Sequence, residues 1–187
     1  MFDYFTKTHN QTPNPAIPIA KPNPNPKFIS KKERGFNWCD KPLCRYCPLL
    51  DKTGFIICTY TQEKFTTMKN ISCRSSNVIY SITCKVCKIQ YVGQTRRQLQ
   101  ARFAGHFNDV LNSFQHKPVS AHFSQRPHRG TKDFLIHILE FIRKPAKSTQ
   151  AGKILLRREA HWVNTLRTHA PIGLNLEDPK EFKGYKA

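Results

Sequence analysis

Asn77 to Gly93 reads N-V-I-Y-S-I-T-C-K-V-C-K-I-Q-Y-V-G, and its pattern is strand, turn, strand. Val78, Ile79, Tyr80 and Ile82 form one β-rich run, and Ile89, Tyr91 and Val92 form the other. Cys84 and Cys87 make a C-x2-C knuckle where a hairpin would ordinarily carry Asn-Gly. Each run holds one tyrosine near the knuckle, and the second ends in Gly93, which permits close backbone approach. With a helix starting directly behind, the two tyrosines can form a phosphate-handling site. The plainer reading is a half-buried hairpin with packing tyrosines and a metal-tied turn.

Outward from this stretch, the charge is the first constraint. The 187 residues carry 31 Lys+Arg against 12 Asp+Glu, a net charge of +19. Such an excess favours a polyanionic partner, most simply nucleic acid, and its spread from Lys21 to Lys186 argues against a basic tail alone. No apolar run approaches membrane-spanning length, and no signal-peptide pattern follows Met1. Seven cysteines without a secretory signal point to metal binding in a reducing compartment, nucleus or cytosol, rather than to disulfides.

Residues 1–35 read as a Pro/Asn-rich spacer in extended conformation, or else a ligand for a proline-reading domain. Residues 36–75 form a cysteine-rich segment too poor in apolar residues for its own core. Cys39, Cys44, Cys47 and Cys73 are expected to make a four-thiolate zinc site, with Cys58 as a buried apolar residue; reduced, unliganded cysteines are the alternative.

Downstream of Gly93, Thr95 and Gln98 fit a capping box that predicts a helix from Arg96 to about Phe114. Leu99, Phe103, Val110 and Leu111 should face its core, while Arg102 and His106 share a face, as a site or as a solvated basic stripe. His122 and His128 follow at a spacing that suits a zinc site with Cys84 and Cys87, against a reading as surface histidines. Phe134–Ile142 is apolar on both faces and predicts a central strand. A last helix, roughly Thr149–His169, has Leu155, Leu156, Trp162, Val163 and Leu166 as its core stripe. Glu159 falls inside that stripe, where a carboxylate needs a cation or a metal as partner. Residues 177–187 read as a polar tail.

Taken in order, Val78-Ile79-Tyr80, Tyr91-Val92-Gly93, Arg102-x3-His106, Arg158-Glu159-Ala160-x-Trp162 and Gly173-Leu174-Asn175 resemble the GIY-YIG endonucleases. The C-x2-C between the tyrosine motifs and the following His122-Phe123-x4-His128 are similar to the form carried by Penelope-like retroelements. Val78 stands where that family has its first glycine, and Val92 replaces its middle isoleucine.

The resemblance implies a small α/β (α+β) domain over 76–176, with a three-stranded, mainly antiparallel sheet flanked by helices and zinc-bound cysteine-rich elements. It implies a metal-dependent DNA endonuclease or nickase, with Glu159 holding one Mg2+ or Mn2+ and Arg102 on the scissile phosphate. Tyr80 is then the base or water-orienting hydroxyl, Tyr91 and His106 support it, and Asn175 hydrogen-bonds at the site's edge. Arg96, Arg97 and Lys153 are candidate DNA contacts. DNA is the expected partner, with element RNA and a reverse transcriptase of the same element as further ones. Since the chain shows no reverse-transcriptase sequence, it is expected to be the nuclease portion alone or a freestanding relative. A silent zinc-dependent nucleic-acid-binding module and a thiol-redox protein using Cys84-x2-Cys87 are the competing classes. Neither calls for the tyrosine–carboxylate set.

Overall fold

The computed structural model describes Cys39, Lys41 and residues 44–68, 71–142 and 148–176. The expected spacer and polar tail lie outside the described residues. In chain order the elements are β1 (Phe55–Ile57), β2 (Lys64–Thr66), β3 (Val78–Cys84), β4 (Gln90–Thr95), α1 (Leu99–Leu111), α2 (Pro118–Phe123), β5 (Phe134–Phe141) and α3 (Ser148–Thr165).

β3 is the centre of the molecule because all of its residues are buried. It pairs antiparallel with β4 on one side and β5 on the other, giving the order β4-β3-β5. Its period of two then sorts the core into two layers. Val78, Tyr80, Ile82 and Cys84 pack with Leu99 and Phe103 of α1 and Phe123 of α2. Ile79 packs on the other face with Leu155 and Val163 of α3, and with Leu166. The result is the mixed α/β architecture expected from the sequence, a three-stranded antiparallel sheet flanked by helices.

β5 is buried on both faces, as its composition requires, but it is an edge strand and not the central one. Its outer edge is satisfied by chain from upstream: the amide of Asp51 donates to Ile136 and that of Met68 to Ile138, at 2.7 and 2.8 Å. The opposite edge, on β4, is closed by Leu174, whose amide reaches Gln90, and by the Asn175 side chain. These contacts cover part of each edge and so blunt it against recruiting another strand. Leu50 and Ile71 join the α1 layer and Ile56 and Cys58 the α3 layer, so the cysteine-rich segment packs into both cores.

Three expectations are corrected at the helices. α1 begins at Leu99, not Arg96, because Thr95 is the last residue of β4 and no side chain caps the helix. Its first amides are satisfied by backbone instead: Leu99 donates to Ser75 and Gln100 to Cys73. Leu111, expected in the core, is 81% exposed, and Leu156 of α3 is likewise exposed. Each sits one residue beyond a core position, Val110 and Leu155, on a helix that buries a narrower stripe than the periodicity suggested.

Candidate active site and metal centres

The register of β3 and β4 sets Tyr80 directly opposite Gly93. A Cβ at Gly93 would lie 2.7 Å from the Tyr80 hydroxyl and 2.8 Å from ring carbons of Tyr80 and Tyr91. Only a glycine lets the phenol lie flat across β4. There the fully buried Tyr80 presents its hydroxyl to α1. Arg102 Nε donates to that oxygen at 2.7 Å, and His106 Nε2 lies 2.8 Å from it, one helical turn on. Tyr91 sits beside this group, its ring 6.5 Å from Tyr80 and edge-on to His106 at 5.9 Å.

The electrostatics follow from burial. Desolvation pushes both phenols above their ordinary pKa; the negative charge of Glu159 adds to this and the Arg102 guanidinium opposes it. Burial, helped by the charges of Arg102 and Lys117, holds His106 down at about 3, so the ring is neutral. For Arg102, burial works against its charge, but the two phenols outweigh it and raise its pKa. Glu159 is half-buried on α3, on the line from Leu155 to Val163 and within electrostatic reach of both tyrosines. β3, β4, α1 and α3 thus bring Tyr80, Tyr91, Arg102, His106 and Glu159 into one site.

Asn175 hydrogen-bonds at the edge of the site, as expected, and does so to backbone. Its amide accepts from the Val92 backbone N–H at 2.9 Å and donates to the Val92 carbonyl at 2.8 Å. Both ends are committed to the edge of β4, which makes it a positioning group next to Gly93. The candidate DNA contacts Arg96 and Arg97 are exposed at the mouth of α1, and Lys153 is exposed on α3.

The sequence reading missed Glu140. It stands opposite Ile79 at a β-bulge and accepts from Arg158 Nε at 2.7 Å and Trp162 Nε1 at 3.1 Å. These two residues flank Glu159, so Glu140 ties the carboxylate-bearing turn of α3 to the sheet. The signal was present: Glu140 is a lone carboxylate in an apolar run, as Glu159 is.

Two cysteine clusters have the geometry of metal centres. Cys39 and Cys47 sulfurs are 3.4 Å apart, Cys44 and Cys73 sulfurs 3.7 Å, and all four ligand atoms lie within 4.8 Å of one another. A tetrahedron of thiolates about 2.3 Å from an ion has sulfurs about 3.8 Å apart, so the spacing fits an ion and is far too long for disulfides. The second cluster is Cys84, Cys87, His122 and His128. Cys87 Sγ is 3.4 Å from His122 Nε2. His128 uses Nδ1 on the Gln125 carbonyl at 3.0 Å, leaving a buried Nε2 with no hydrogen-bond partner. A buried acceptor in that state is what a ligating imidazole looks like without its ion. Cys58, outside both clusters, is buried against the Leu166 carbonyl, as an apolar residue should be.

A catalytic divalent ion also has a fitting residue. Mg2+ takes one or two carboxylates and fills its other positions with water and phosphate oxygens. Glu159, half-exposed beside the phenols, offers such a carboxylate.

Among known proteins, no curated one matches this chain significantly. The solved catalytic domain of the homing endonuclease I-TevI is similar at 22% identity, covering 54% of this chain and 98% of its own, with a TM-score of 0.42. Residues 76–172 match the GIY-YIG catalytic domain, a family of metal-dependent DNA endonucleases. That span contains the tyrosine pair, the arginine–histidine turn and the glutamate just described, and covers more than half of the sequence: the chain belongs to the GIY-YIG catalytic domain family.

Proposed function

We propose that this endonuclease is a nickase that opens one DNA strand at the integration site of a Penelope-like retroelement, in the nucleus, alongside a reverse transcriptase and RNA of the same element. The observation that carries the catalytic part is the Tyr80 hydroxyl, gripped by Arg102 and His106 against Gly93. One such group per chain supports one cut per engagement. The cysteine pair between the two tyrosine motifs, with the following histidines, supports the retroelement assignment.

The residues divide the work as follows. Arg102 Nε–H donates to the Tyr80 oxygen and neutral His106 accepts from the Tyr80 hydroxyl at Nε2, so the phenol is held to orient the attacking water through its remaining lone pair, and the water's proton is released to solvent. Burial keeps the Tyr80 phenol protonated, so Tyr80 acts as the water-orienting hydroxyl. The remaining guanidinium N–H groups of Arg102 meet the charge building on the phosphate. Glu159 holds Mg2+ or Mn2+, which when bound neutralises charge on the phosphate and the leaving oxygen. Cys84, Cys87, His122 and His128 hold one structural Zn2+, and the four thiolates hold a second.

The test is supercoiled plasmid with Mg2+. Wild type should accumulate nicked circles well before linear product. Tyr80→Phe and Glu159→Ala should each lose at least about 100-fold in rate while keeping the wild-type circular dichroism spectrum. Arg102→Lys should fail as badly, because one ammonium cannot serve both Tyr80 and the phosphate. Direct conversion to linear DNA overturns the nickase reading. A folded Glu159→Ala protein cutting at the wild-type rate overturns the site.

A further inference from the structure

Behind α1, away from the Tyr80 hydroxyl, lies an open groove of about 470 Å³. One wall is the loop between Cys44 and Cys47, the floor is the C-terminal half of α1, and the other wall is the turn after His128. The faces are opposite by helical geometry: Ala104 and Asn108 line the groove, each two residues, or about 200°, around the helix from Arg102 and His106. No aspartate or glutamate lines it. Arg45 is exposed and holds its guanidinium 4.9 Å from the Phe107 ring centre. Lys132 is exposed on the facing wall, and neither cation has an ion pair among the described residues. The groove also holds two half-buried aromatic rings, Tyr46 and Phe107, and the exposed Leu111.

We propose that this groove is a second nucleic-acid site that takes a single-stranded segment of the substrate beside the cut. The proposal rests on DNA being the substrate of the Tyr80 site. Two unpaired cations facing each other across a trough without carboxylates suit a phosphate backbone. Aromatic and aliphatic faces between them suit the flat faces of unpaired bases, which a duplex keeps hidden in its stack. The walls belong to the two cysteine clusters, since Arg45 lies between Cys44 and Cys47 and Lys132 follows His128 on the next turn. The clusters thereby set the width of the groove as well as the fold.

The experiment is fluorescence anisotropy of a labelled oligonucleotide of about 16 nucleotides, single-stranded or in a duplex. It is run without added Mg2+ or chelator, so that no cutting occurs and bound zinc is kept. Arg45→Glu and Lys132→Glu should each weaken single-strand binding about 10-fold or more and duplex binding less than about 3-fold. Lys64→Glu, on β2, should change neither by more than about 2-fold. Elemental analysis confirms that Arg45→Glu retains its metal, and Lys132→Glu tests the groove independently of the four-thiolate centre. Arg102→Lys should stop cutting yet leave single-strand affinity unchanged, which separates failure of this site from failure of the Tyr80 site. Unchanged single-strand affinity in both reversals overturns the proposal. So does equal weakening of strand and duplex, or displacement of the strand by an acidic peptide at matching concentration.

Discussion

At Gly93 the identity of a single residue is decided by the one across from it. The Tyr80 ring occupies the space a side chain would need, so Gly93→Ala must displace either the phenol or the strand. The expected outcome is a cost of about 1–3 kcal/mol in thermal stability. Nicking should fall by more than the lost stability explains, because the Tyr80 hydroxyl moves off Arg102 and His106. Calorimetry and plasmid nicking on the same preparation separate the two effects. His106 carries a pH prediction. Its folded pKa of about 3 lies below the ordinary 6.5, so the unfolded chain takes up the proton first. Its contribution is complete above pH 6.5 and is lost as pH falls toward 3, on the order of 2 kcal/mol by pH 5. Chemical denaturation at pH 7, 6 and 5 should show that slope in wild type and a flatter one in His106→Gln.

At the scale of elements, what matters is how each is fastened to the next. The Cys84–Cys87 turn joins the β3–β4 hairpin to α2 and the His128 turn through the second cluster's ligands and through Lys85, which donates to the carbonyls of Asp133 and Lys132. Wild type should contain two zinc ions per chain by elemental analysis, and Cys87→Ser should lose one of them. A melting point lowered by about 10 °C or more would follow, since structural zinc contributes much of its binding energy as folding energy. Glu140 is the corresponding fastener for α3. Glu140→Gln keeps one acceptor but loses the charge-assisted bond to Arg158, a partly exposed pair. Stability should therefore drop by only about 1 kcal/mol. Mg2+ should be needed at about 10-fold higher concentration for half-maximal nicking, because Glu159 rides on that turn. A Mg2+ titration of nicking checks this.

Across the described residues, upstream and downstream chain covers part of both edges of the three-stranded sheet and the cysteine-rich segment is built into both core layers. Carboxylates among the described residues are often spent on internal contacts, Asp133 on Arg129, Asp109 on Lys117 and Glu140 on Arg158. These pairs leave the chain's excess of cations, a net charge of +19, uncompensated. Duplex affinity should fall linearly on a log–log plot against salt, with a slope of about −0.9 for each phosphate contacted. Glu159→Gln should bind as tightly as wild type or slightly tighter, because a negative charge beside the phosphate is removed. Filter binding from low to physiological salt measures both.

The sequence by itself determined the strand–turn–strand unit and the chemistry that its residues and their neighbours carry. The alternation around Tyr80 and Tyr91, the glycine after them, the Arg102–His106 turn, Glu159 and the two ligand sets all rest on local spacing, and spacing is conserved when a chain folds. Tertiary structure decided what covers each face. Phe134–Ile142 is apolar on both sides whether it lies in the middle of the sheet or at an edge roofed by Asp51 and Met68, and periodicity does not distinguish the two. The capping pattern at Thr95 lost to the pairing of that residue in β4, with the backbone of Cys73 and Ser75 satisfying the helix end instead. Leu111 and Leu156 were left outside because neighbouring elements cover narrower stripes than the helices offer. The commitment of Asn175 to Val92 and of Glu140 to α3 joins residues 83 and 18 or more positions apart, respectively. Such contacts exist only once the strand order has been chosen.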